Sequence, residues 1–144
     1  MQDMVALSAL PAAWVKLEPL QIADSRACFV LTTLGLELVY LKAQGIDGAI
    51  VERARTRQGK QVDAAEIGRA LSPILDLGAT DSGLSLANPI GEGRVRCVRI
   101  PIRWEAREWI LVAASSRPDF PTIEDRLVLS VSTNHAATML ARNF

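Results

Sequence analysis

Histidine is almost missing from this chain: His135 is the only one. Its two cysteines, Cys28 and Cys97, stand 69 positions apart with no CxxC pair. A structural zinc centre needs about four nitrogen or sulfur ligands at close spacing, and three scattered candidates offer no such framework. Cysteine used so sparingly fits a reducing compartment, and the expected location is the cytoplasm. Long hydrophobic runs are also missing. Stretches such as Leu38 to Leu41 and Ile110 to Ala114 fall far short of the roughly 18 residues a membrane span requires. Met1 to Pro11 contains Asp3 and no basic cluster, a poor secretory signal. Nor is there an excess of either charge. Sixteen Lys and Arg balance sixteen Asp and Glu, so no overall field draws the chain onto nucleic acid or anionic lipid. Aromatics are only 5% of the residues, and Trp14, Trp104 and Trp109 are too dispersed to form a base-stacking platform. Phosphate-cradling loops are absent too, since Gly91-Glu-Gly93 lacks a third glycine and leads into strand-like sequence.

What is there is an ordinary globular composition, 49% hydrophobic and 22% charged over 144 residues. That length suits a single domain able to bury roughly 68–70% of its unfolded surface. Leu20, Ala23, Ala27, Val30 or Leu31, and Leu34 recur at helical spacing, and Gly35 is a natural stop. Leu36 to Lys42 is apolar on both alternating faces, the mark of a strand covered on two sides. Gly45-Ile-Asp-Gly48 suits a hairpin turn, and Ala49 to Thr56 returns as a more charged strand near a sheet edge. Asp63 with Glu66 has capping-box spacing ahead of Ile67, Ala70, Leu71, Ile74 and Leu75, and Pro73 should break that helix near Ser72. Gly78 to Gly93 reads as a loop with one short strand at Leu84 to Leu86. Arg94 to Arg103 alternates, with Arg96, Val98, Ile100 and Ile102 on one face and Val95, Cys97, Arg99 and Pro101 on the other. Trp104 to Arg107 is expected to turn this strand into its partner, Glu108 to Ser115. After an irregular stretch with two prolines, Thr122 caps a final helix. There Ile123, Leu127, Val131, Asn134 and Thr138 form one stripe, and Val128, Ser132, His135 and Met139 form an adjacent one. One such face can pack on the sheet and the other on a partner. No stop signal ends this helix, so the natural chain is expected to continue past Phe144. The order helix, hairpin, helix, loop, hairpin, helix predicts an α+β domain with an antiparallel sheet, undivided over residues 1–144.

Several residues invite a chemical reading. Arg94, Arg96, Arg99 and Arg103 crowd one strand, and guanidinium groups grip carboxylate or phosphate. An anionic effector would suit them, with Arg96 foremost because it shares a face with Val98 and Ile100. The plainer alternative is solvated pairing with Glu105, Glu108 or Glu52. His135 lies on a helix, as a phosphoacceptor would, but 144 residues leave no room for an ATP-binding domain, and an interfacial or partly exposed helix histidine is the simpler account. Cys97 could act as a redox thiol beside Arg96 or Arg99, although Cys28 sits in a different element. Asp63, Glu66, Asp76 and Asp81 are carboxylates around the middle loop, where capping and turn roles account for most of them.

The segment Trp109-Ile-Leu-Val-Ala-Ala-Ser-Ser-Arg-Pro-Asp-Phe-Pro-Thr-Ile-Glu-Asp-Arg-Leu-Val-Leu-Ser-Val-Ser-Thr-Asn-His-Ala-Ala resembles the C-terminal half of a GAF domain, in which a last strand leads through a Phe-Pro turn to a helix. Ala6-Leu-Ser-Ala-Leu-Pro-Ala-Ala-Trp14, Gln21-Ile-Ala23 and Leu36-Glu-Leu-Val-Tyr40 are similar to GAF domains at the front of bacterial sensor histidine kinases. The resemblance spans roughly residues 5 to 142, with the domain core at about 17–142. It implies a GAF-like, PAS-related sheet with the terminal helices on one face and the middle helix-loop region on the other. It further implies a cytoplasmic sensing module for an unidentified small-molecule effector, with Arg96, Val98, Tyr40, Ile67, Leu71 and Leu84 as ligand-binding candidates. A homodimer through the terminal helices follows from it, with Leu127, Val131, Asn134, His135 and Thr138 at the contact, and an output domain beyond Phe144. No metal, bilin or heme is expected, and no catalytic residue is assigned; phosphoryl transfer would belong to other domains of the parent kinase. Two alternatives stand beside this reading: a constitutive dimerisation spacer without ligand, and a GAF-fold thiol enzyme such as a methionine sulfoxide reductase.

Overall fold

The first helix, α1, runs through residues 25–34 after a helical stretch at 21–23. It ends where Gly35 adopts φ +61°, a conformation glycine enters without a Cβ penalty. The Gly35 amide then donates to Thr32 O and the Leu36 amide to Leu31 O, the paired bonds of a Schellman cap. The computed structural model describes residues 21–23, 25–44, 48–57, 59, 61–76, 83–104 and 107–143. The expectations for Leu20, Trp14, the turn at 45–47 and the loop at 77–82 lie outside them.

Among the described residues five strands follow from the alternating segments: β1 (Leu38–Gln44), β2 (Ile50–Thr56), β3 (Leu84–Ala87), β4 (Arg94–Trp104) and β5 (Arg107–Ser115). They form one antiparallel sheet in the order β2-β1-β5-β4-β3. The strand apolar on both faces, β1, lies inside the sheet between β2 and β5, and the charged β2 takes an edge, as their sequences predict. Trp104, read from sequence as a turn residue, is instead the last residue of β4 and pairs with Arg107.

Among the described residues two helical segments lie between β2 and β3. Asp63 caps α2 (Ala64–Ala70), its carboxylate accepting from the Ala65 amide at 3.0 Å. Pro73 interrupts the run as expected, and the chain restarts as the single turn α3 (Ser72–Leu75) with proline in its first turn, where the missing N–H costs nothing. The last helix, α4 (Ile123–Asn143), starts with a reciprocal capping box: Thr122 Oγ1 accepts from the Asp125 amide at 3.1 Å and Asp125 Oδ2 from the Thr122 amide at 2.9 Å.

Each sheet face has its own core. Val39, Leu41, Val98, Leu111 and Ala113 pack with Ala27 and Val30 of α1 and with Leu129 and Leu140 of α4. On the opposite face Leu38, Tyr40, Cys97, Val112 and Ala114 pack with Ile67 and Leu71 of α2 and Ile74 of α3. Full burial of each large aliphatic side chain stabilises by about 1.5–3 kcal/mol, so both layers are needed to hold the sheet. The sheet-facing side of α4 is neither stripe read from the sequence. It is the row Leu129, Ser132, Thr133, Ala136 and Leu140, all buried. Of the two expected stripes, Ser132 is buried, Val128 and Met139 are half-buried, and the remaining members are exposed.

Candidate functional site

Tyr40 sits at the middle of β1 with no exposed surface. Its phenol would be an orphaned donor in that core, but Glu52 of β2 lies diagonally across the ladder on the same face, and the Tyr40 hydroxyl donates to its Oε2. Burial first, then this bond and the Glu52 charge, push the phenol's pKa up, so Tyr40 stays a neutral donor. Gly68 of α2 faces the pair. A Cβ at Gly68 would lie 2.7 Å from Tyr40 Oη and run into the Glu52 carboxylate, so a residue without a side chain lets α2 close on the sheet here. The same place holds a recess of about 290 Å³, lined by the Tyr40–Glu52 pair, Gly68 and the polar side chains Lys42, Arg69, Ser72 and Asp76. A second hollow, of about 300 Å³, lies where Asp63, Glu66 and Ile67 meet Pro89 and Ile90.

The candidate ligand residues do not share one cavity. Tyr40, Ile67 and Leu71 stand together in the core under α2, with Leu84 packed partly buried against them. Val98 belongs to the opposite core, between the sheet and the terminal helices. Arg96 shares the Val98 face by strand alternation, as its sequence predicts, but its guanidinium holds the backbone: Nε donates to Phe120 O at 2.6 Å and an Nη to Gly83 O at 3.4 Å. Arg96 therefore anchors the irregular segment before α4. Sequence reading missed Glu52, Lys42, Gly68 and Arg69 as neighbours of Tyr40. The β1–β2 pairing would have brought Glu52 to Tyr40, but no sequence signal places α2 over them.

On α4 the five candidate contact residues, Leu127, Val131, Asn134, His135 and Thr138, are all exposed. Leu127 and Val131 continue a line begun by Ile123, and these three apolar side chains are 63%, 58% and 76% exposed. From Leu127 to Ala141 the helix carries no Asp, Glu, Lys or Arg.

Cys97 has no exposed surface, and burial pushes its thiol pKa up to about 12. Thiolate, the nucleophilic form, is thereby suppressed at Cys97, which counts against the thiol-enzyme alternative. Among the described residues no group of three or more His, Cys, Asp or Glu side chains could hold a metal ion, and no helix is long and apolar enough to cross a membrane.

Comparison of the chain with protein-family models and with curated proteins finds no match. Two surfaces stand out in the geometry: the outer face of α4, uncharged from Leu127 to Ala141, and the polar recess over Tyr40.

Proposed function

We propose that this chain is a regulatory module of GAF-like type that self-associates through α4, serving as the input part of a bacterial signalling protein such as a sensor histidine kinase. One observation carries the self-association: the outer face of α4 presents Ile123, Leu127 and Val131 to solvent on a helix whose opposite side already packs on the sheet. Large apolar side chains aligned in this way mark an interaction surface. Leu127, Val131, Asn134, Thr138 and Ala141 follow alternating spacings of four and three, the seam of a helix pair. A second copy of the chain meets that seam without like-charge repulsion, and the polar Asn134 and Thr138 would fix its register at some cost in stability. Sedimentation equilibrium tests this. The wild type should be dimeric at micromolar concentration and the Leu127→Glu/Val131→Glu variant monomeric with unchanged circular dichroism. A monomeric wild type sinks the proposal.

A ligand-sensing role is the second half of the reading, supported by the recess over the Tyr40–Glu52 pair. Sensing requires that a ligand bind two arrangements of the module with different affinity. A thermal-shift screen against small metabolites reads the binding, because a ligand of the folded state raises Tm. The constitutive spacer predicts no shift from any of them.

A further inference from the structure

Of the four arginines on β4, three are engaged. Arg94 donates to Ser85 Oγ and Ser85 O, Arg96 to the carbonyls of Phe120 and Gly83, and Arg103 to the Glu108 carboxylate at 3.1 Å. Arg99 is different. It is half-buried, it makes no hydrogen bond or ion pair among the described residues, and its Nε is closed off from solvent without an acceptor. A buried donor left without a partner is costly, more so when the group is charged, so folded proteins keep few of them.

The sheet places Arg99 beside a second cation. Alternation along β4 puts it on the face of Val95 and Cys97, under the middle helices. It pairs across Val112 of β5, which pairs in turn with Tyr40 of β1. One step further along β1, Lys42 projects from the same face, opposite Ile110, and it too has no ion-pair partner among the described residues. Strands β1 and β4 are separated only by β5, roughly 10 Å apart, and Lys42 stands about 7 Å along β1 from the row of Arg99, a diagonal that the long side chains of a lysine and an arginine can close on one small group between them. Of the acids on this face, Glu52 stands directly opposite Lys42 on β2 and accepts from Tyr40, Asp76 lines the same recess as Lys42, and Glu108 holds Arg103.

We propose that Arg99 and Lys42 form an oxyanion site on the middle-helix face, taking the carboxylate or phosphoryl group of a small molecule. The guanidinium supplies planar, paired donors and the ammonium a point charge, the combination that suits either oxyanion. The proposal rests on the sensing half of the functional reading and is independent of pairing through α4. It moves the anion-binding role from Arg96, which holds carbonyls, to the arginine that has no partner among the described residues.

The test is a titration of the full chain with inorganic phosphate and, separately, with acetate, with ionic strength held constant by sodium chloride. The arginine Nε–H resonances are followed by NMR, and the same samples are taken to sedimentation equilibrium. One Nε–H resonance, the one missing in Arg99→Gln, should shift saturably with at least one of the two anions, and which anion does so separates phosphoryl from carboxylate recognition. In Lys42→Met the same shift should need roughly tenfold more anion, the loss expected for one charge-assisted contact, while Arg94→Gln should titrate like the wild type. Small unsaturating shifts spread over all arginines, or a saturable isotherm that survives in Arg99→Gln, overturn the site even if the dimer persists. A saturable Arg99 isotherm with sedimentation unchanged keeps the site and counts against sensing through the dimer.

Discussion

Gly68 decides how closely the middle helix lies on the sheet. Alanine is normally the better helix former by about 1 kcal/mol, yet here its methyl group would meet Tyr40 Oη and the Glu52 carboxylate together. Relieving that contact breaks the bond satisfying a fully buried phenol. Gly68→Ala should therefore destabilise the chain by about 1–3 kcal/mol in urea unfolding, reversing the usual propensity. In a Glu52→Ala background the carboxylate contact and the hydrogen bond are already gone, so the added cost of Gly68→Ala should shrink, while the 2.7 Å approach to Tyr40 Oη keeps it above zero. Equal cost in both backgrounds would show that the two side chains do not meet. Arg99 belongs to the same scale: strand alternation already placed it opposite to Arg96, but which arginine would find a partner depended on carbonyls of Gly83 and Phe120, which only the folded chain brings close.

Among the elements, α4 depends most visibly on its first turn. Asp125 is buried, and burial alone would raise its pKa. The Thr122 amide, the Arg117 guanidinium at 2.6 Å and the Thr122 hydroxyl oppose that, and together with the Arg117 charge they hold the carboxyl below its ordinary value of 3.8. The folded state thus binds fewer protons than the unfolded chain just below that pH. The stabilisation is complete above the unfolded value and is lost as pH falls through the lower folded one. Stability curves in urea should drop on acidification below about pH 4, and Asp125→Asn should flatten that part of the drop while costing about 1–2 kcal/mol at neutral pH. An acid limb unchanged in Asp125→Asn would assign the loss to other carboxylates. This cap was legible in the sequence, because Thr122 and Asp125 carry the signal within three residues. The faces of α4 were not. Ile123, Leu127 and Val131 look as core-like as Leu129, Ala136 and Leu140, and a helix with apolar residues on both sides does not declare which side meets its own sheet.

At the scale of the whole molecule the strands and their edges were readable because alternation and charge are local, whereas the candidate pocket was not, since opposite sheet faces interleave residue by residue. Arg96 and Val98 lie on one face of the sheet and Tyr40 and Leu71 on the other, one sheet thickness apart. The same two-sidedness yields a prediction about the assembled chain. Pairing through α4 would join copies by an uncharged seam, Leu127 to Ala141, whereas the oxyanion site on the other face works through Arg99 and Lys42. Salt screens charged attractions and leaves apolar burial in place. Raising sodium chloride from about 50 to about 500 mM should change the dimer dissociation constant less than threefold, while weakening phosphate or acetate binding severalfold in the same samples. If salt instead dissociates the dimer, its contacts are ionic, and the pairing surface must be sought away from the outer face of α4.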